Sequence, residues 1–180
     1  MGSATVSECF DMIVRMFVLG IDPGLTRCGY GVVDWRGPNK VTAISAGVIR
    51  TGHTEELPKR LATLHVEITE LIREFAPGVV AVERVLFQVN VSTAMAVGHA
   101  SGVVMAAGAV AGCEVVQYSP NEIKLAVAGY GNADKQQVER MVRAQLKLDV
   151  ELKPVDAADA VAVALCHTAI EGAPTPSVIV

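Results

Sequence analysis

Phe17-Val18-Leu19-Gly20-Ile21-Asp22, followed by the turn Pro23-Gly24-Leu25-Thr26, decides the fold. The run is apolar at consecutive positions and closes on a carboxylate, which predicts a central strand buried on both faces. In the turn, proline fixes φ and glycine permits close backbone approach, so Asp22 is held in place. Working outward, Gly29 to Trp35 and Val41 to Arg50 are β-rich runs on either side of the break Arg36-Gly37-Pro38-Asn39-Lys40. Three neighbouring strands joined by tight turns predict an antiparallel meander.

The period then changes. Leu57, Leu61, Leu64, Ile68, Leu71, Ile72 and Phe75 recur at three and four, predicting an amphipathic helix that Pro77-Gly78 stops. Val79 to Glu83 (V-V-A-V-E) is a second buried strand ending in a carboxylate. A long Ala/Gly helix is expected from about Asn90 to Gly112, then a strand over Glu114 to Tyr118. Ser119-Pro120-Asn121-Glu122 is a capping box with proline at the first helical position. Gly129-Tyr130-Gly131 breaks that helix, and Asn132 is placed to cap the next one, through Leu148. Pro154 precedes a last helix from Val155 to about Ile170. The order predicts an α/β fold, a mixed five-stranded sheet with helices on both faces.

Composition sets the bounds. The chain has 180 residues, 51% hydrophobic and 19% charged, with 16 Gly and 8 Pro, which allows one sizeable core and excludes disordered or collagen-like chains. A mean hydropathy of +0.40 raises the question of a membrane span. The uncharged stretch Val91 to Gly112 is the candidate, but it lacks the Leu/Ile/Phe density that drives insertion. It reads as a buried small-residue helix, with no membrane involved. Cys9, Cys28, Cys113 and Cys166 are far apart and form no C-x-x-C pair, so free thiols of a reducing cytoplasm are expected. Residues 1–15 read as an extension, 16–172 as one domain and 173–180 as a tail.

Four acids carry the chemistry. Asp22 and Glu83 each end a buried strand, and ligands of open α/β sheets collect at that edge. Taken singly, each reads equally as a solvated turn residue. Asp156 and Asp159 stand one turn apart in Val155-Asp156-Ala157-Ala158-Asp159-Ala160, at a helix N-terminus that favours negative charge. Capping would explain such a pair by itself. The apolar run behind it (A-V-A-V-A-L-C) instead predicts a deeply packed helix with the acids at the sheet's edge. Four acids converging there repel one another unless cations neutralise them. Oxygen donors select Mg²⁺ or Mn²⁺ over zinc, and two such ions roughly 4 Å apart can activate water against a phosphodiester. The four acids also account for the whole net charge of −4, leaving the remainder of the surface neutral.

The order G-I-D-P-G (20–24), A-V-E-R-V (81–85) and D-A-A-D-A (156–160), with Y-S-P-N-E-I-K and G-N-A-D-K between, resembles the RuvC family. That resemblance covers residues 17–170 and implies a ribonuclease-H-like fold. It implies Asp22, Glu83, Asp156 and Asp159 as metal-binding catalytic acids. It also implies a homodimer that nicks opposing strands of four-way junction DNA, and association with a branch-migration motor complex. Lys124 and Lys135 match basic positions at the family's DNA-binding face. An aromatic wedge usually stands three residues after the glutamate, where this chain has Leu86, with Phe87 next. Either residue fills that role. Gly98 and Gly102 permit close helix approach, for core packing or, by the resemblance, for the dimer interface. His99 and His167 read as packing or surface residues, and Arg84 as pointing away from the site.

Two other functions compete with this one. One is an ATPase or sugar-kinase-like domain, because an Asp-Gly-Thr turn after a strand also opens the phosphate loop of actin-like folds. Those need a second lobe, and Gly129-Tyr130-Gly131 with Lys135 lacks the Walker A pattern. A junction-binding protein without catalysis would have no use for four converging acids.

Overall fold

The computed structural model describes residues 16–85, 91–149 and 151–172. β1 (Met16–Asp22), β2 (Arg27–Trp35) and β3 (Val41–Arg50) form the antiparallel meander. α1 (Leu57–Phe75) follows and ends on Ala76 in the left-handed region, ahead of Pro77. The remaining elements are β4 (Val79–Glu83), α2 (Val91–Val110), β5 (Glu114–Tyr118), α3 (Pro120–Ala128), α4 (Lys135–Leu146) and α5 (Val155–Glu171). Among the described residues the five strands make one sheet in the order β3-β2-β1-β4-β5. β4 pairs parallel with β1 and with β5, so the sheet is mixed, as expected.

Strand alternation divides the core in two. Val18, Val33, Val79 and Ala81 face α3, α4 and α5 on one side. Leu19, Ile21, Val32, Val80 and Val82 face α1 and α2 on the other. Helices therefore cover both faces, and β1, which lies in the middle, is apolar up to Asp22 for that reason.

Two local expectations change. The cap of α4 is Asp134, not Asn132: Asp134 accepts from the amide of Gln137, and the Gln137 side chain accepts in return from the Asp134 amide. This is a reciprocal box, and it leaves Asn132 outside the helix, two residues before the cap. The helix also stops at Leu146, with Lys147 left-handed, short of the expected Leu148.

α2 is only half covered. Ala94, Ala100, Ser101, Val104, Ala107 and Gly108 are buried, while Val91, Met95, Gly98, Gly102, Ala106 and Ala109 lie at least partly open along the opposite stripe. A Cβ built on Gly98 or Gly102 would meet nothing within 4 Å, so neither glycine serves core packing. By length and composition α2 could cross a membrane, and a third of its most apolar window is buried in the chain. Small apolar side chains on every side give such a helix no polar face to mark which side is covered.

Candidate active site

Parallel pairing brings Asp22 and Glu83 together. Ile21 is in register with Val82, so the carboxylates that follow leave neighbouring strands at one edge of the sheet. α5 supplies the other acids because three glycines let it rest directly on strand backbone. A Cβ at Gly20 would stand 2.2 Å from the Ala160 carbonyl oxygen, and one at Gly29 2.0 Å from that of Asp156. At Gly31 it would lie 2.5 Å from Val161. The start of α5 is thereby seated over the end of β1.

Asp22, Glu83 and Asp159 line one cavity of about 310 Å³, and Lys124 and Lys135 stand in its wall with them. Lys135 opens α4 and donates from Nζ to Asp159 Oδ2 at 2.9 Å. Lys124 is the fifth residue of α3, just past the turn that the capping box opens. Asp156 does not line that cavity, but it stands near enough for its charge to act on Asp22. The two acids of α5 are rotated about 60° from each other by helix geometry, and each has a base on its own side. Arg27, the first residue of β2, donates from Nε at 3.0 Å and from Nη2 to Asp156 Oδ2.

The turn after Asp22 is braced from α1 and the end of β3. Thr51 donates its hydroxyl to the Leu25 carbonyl. Arg60 donates to the Thr51 and Thr26 hydroxyls at 3.0 and 2.7 Å. Neither Arg27 nor this brace is visible to motif reading. Arg27 and Asp156 are 129 residues apart, and only the seating of α5 on Gly29 makes them neighbours.

The acids are electrostatically loaded. Burial pushes the Asp22 carboxyl up to about 6, and the charges of Asp159 and Asp156 push the same way against Lys135. Burial likewise takes Glu83 up to about 7, helped by Asp22 and Asp159 and opposed by Lys135 and Lys124. Asp156 goes the other way: burial raises it, but the hydrogen bonds and charge of Arg27 outweigh that and leave it below the usual carboxylate range. Lys135 is raised, first by its hydrogen bond to Asp159. The donor set consists of carboxylate oxygens, which fits a hard divalent cation. Among the described residues no three His, Cys, Asp or Glu side chains already stand close enough to hold a metal as they are. Lys135 supplies the counter-charge to Asp159 in this arrangement.

Of the remaining sequence candidates, the described ones fall outside the site. Leu86 and Phe87 lie outside the described residues. His167 is a core residue, 2% exposed, with its Nδ1 2.9 Å from the Tyr118 hydroxyl. His99 is exposed on α2. Arg84 turns to the Gln117 carbonyl at 3.3 Å, away from Glu83. Cys28 and Cys166 are buried free thiols, and Cys113 is a half-buried one.

The family model described as "Crossover junction endodeoxyribonuclease RuvC" matches residues 18–167. A relative of that name from Salinispora arenicola is 51% identical over 152 residues, 84% of this chain and 87% of the relative. One from Natranaerobius thermophilus is 46% identical over 153 residues, 85% of this chain and 94% of the relative. The solved structure of T. thermophilus RuvC in complex with Holliday junction substrate superposes with a TM-score of 0.83 at 38% identity. That superposition covers 87% of this chain and 95% of the other. The motifs, the ribonuclease-H-like sheet and these relatives agree: the chain belongs to the RuvC family of crossover junction endodeoxyribonucleases.

Proposed function

We propose that this enzyme resolves four-way (Holliday) DNA junctions by hydrolysing one phosphodiester in each of two opposing strands, with Asp22, Glu83, Asp156 and Asp159 holding two divalent cations. One observation carries the assignment: two largely buried carboxylates at the ends of parallel neighbours share a cavity with Asp159 and two lysines. Oxygen donors fit Mg²⁺, with Mn²⁺ as its substitute. When bound, the cations supply an activated water and neutralise charge at the leaving oxygen. The chain's own groups do the rest. Asp22 and Glu83 hold negative charge at fixed positions on the sheet edge. Lys124 and Lys135 offer ammonium groups to the phosphate, and Lys135 exchanges Asp159 for it.

A labelled junction incubated with Mg²⁺ tests this directly by mapping nicks. Asp22→Asn should abolish nicking and leave junction binding largely intact, because affinity comes mainly from phosphate contacts spread over basic side chains. A variant that cleaves near the wild-type rate overturns the assignment. Glu83→Gln and Asp159→Asn should behave alike.

Opening the junction needs a side chain in the place of unstacked bases, and stacking on an aromatic is worth about 1–3 kcal/mol per base. Phe87 offers a π face and Leu86 does not. Phe87→Ala should therefore depress cleavage far more than Leu86→Ala, with metal affinity retained. The reverse order assigns the wedge to Leu86. Paired nicks call for a homodimer, and the open stripe of α2 is the surface offered for it. The branch-migration motor complex is the further partner that the family resemblance implies, and the free thiols suit a reducing cytoplasm.

A further inference from the structure

We propose that Arg27 is a positioning residue that holds Asp156 at the rim of the acid cluster, orienting one of its oxygens for a cation. This rests on the metal reading above and adds to it a residue that none of the acidic motifs contains. Both bonds from the guanidinium converge on Oδ2, so the other carboxylate oxygen carries no bond to Arg27. Asp156 otherwise has a competing use. The α5 cap, Pro154, makes no side-chain hydrogen bond, and an acid in the first turn is drawn to the helix N-terminus. Arg27 holds the carboxylate towards β2 while a backbone amide in the first turn of α5 also bonds it.

The geometry is built rather than incidental. Arg27, Gly29 and Gly31 alternate onto the face of β2 that α5 covers, and the missing Cβ of Gly29 is what lets the Asp156 backbone approach. Arg27 is also in register with Arg50 on β3, and like charges directly opposite each other are destabilising. The Asp156 carboxylate relieves that repulsion. The pair is nevertheless 41% and 27% exposed at its two side chains, and pairs that open contribute little to folding stability. Its effect is on orientation.

Calorimetric titration of Mn²⁺ into the full chain without DNA tests the inference. Arg27→Ala and Arg27→Gln should weaken Mn²⁺ binding about tenfold, the usual effect of removing a partner that orients a metal ligand. Arg27→Lys should recover part of the loss, since an ammonium keeps the charge without the fork. Thermal melting should stay within a few degrees of wild type, and cleavage should recover at raised Mn²⁺. Unchanged or tighter Mn²⁺ binding in both variants overturns the proposal. Loss of junction affinity with metal affinity intact also overturns it, making Arg27 a phosphate contact. If the wild-type chain binds no Mn²⁺, or Asp22→Asn binds it equally well, the metal reading falls and this inference falls with it.

Discussion

A carboxylate that burial and its neighbours hold up to about 6, or about 7, makes the metal-free protein sensitive to pH in an unusual direction. Folding raises both acids above the ordinary range, so the native state binds protons more tightly than the unfolded chain. The native state is then favoured most at low pH, and stability from these two groups is lost as pH rises from about 4 through about 7. Asp22→Asn or Glu83→Gln should therefore stabilise the metal-free protein at pH 8 by about 1–3 kcal/mol while removing activity, since a tenfold change in proton affinity is worth about 1.4 kcal/mol. Denaturant melts at pH 5 and pH 8 check this, and a variant no more stable than wild type at pH 8 counts against the loaded site. The two lysines are tested by salt. Lys124→Ala and Lys135→Ala should each lower the slope of log affinity against log salt by about one. Unchanged slopes in both would return them to the solvated surface. Asp22 and Glu83 are legible from the sequence because each closes an apolar run. Asp156 is legible as an acid but not in its orientation, because its partner Arg27 sits 129 residues away with no motif of its own.

At the scale of the element, the contact of α5 with β1 and β2 places the site. Gly20 is two residues before Asp22, and a Cβ there would stand 2.2 Å from the Ala160 carbonyl and 2.9 Å from the Ala164 Cβ. Backbone cannot give way as a flexible side chain would, so Gly20→Ala must lift α5. Overpacking of this kind costs typically about 1–3 kcal/mol, and the same shift carries Asp159 away from Asp22. We expect the Gly20→Ala protein to lose several degrees of melting temperature and nearly all cleavage at saturating Mg²⁺. A variant with normal activity would show that the site tolerates a displaced helix. The strands are readable because β1 and β4 are apolar up to their closing carboxylates, and α3 because its capping box is local. The α4 cap falls at Asp134 rather than Asn132 because Asp134, with Gln137 three residues on, carries the box signal. The close seating of α5 cannot be read, since glycine in a strand marks a near approach without saying what approaches.

For the whole molecule, the open stripe of α2 is the surface on which the proposed homodimer would form. Val91, Met95, Gly98, Gly102, Ala106 and Ala109 recur at three and four along it, with Val91 73% and Met95 58% accessible. Exposed His99 stands beside this otherwise apolar stripe, which suits the proposed contact with a second copy. Its glycines allow a second helix to come close, and a junction with two equivalent strands to cut calls for two equivalent sites related by a two-fold axis. Gly102→Arg separates assembly from folding. Nothing lies within 4 Å of a Cβ at that position, so the chain accommodates the side chain, while two arginines facing each other across a two-fold contact repel. The variant should melt within a few degrees of wild type, sediment as a monomer, and nick junction strands singly and without coordination. A Gly102→Arg protein that remains dimeric would move the dimer interface elsewhere on the molecule. One that is monomeric yet still makes paired nicks would remove the need for a preformed dimer, leaving the two cuts to successive encounters of single chains.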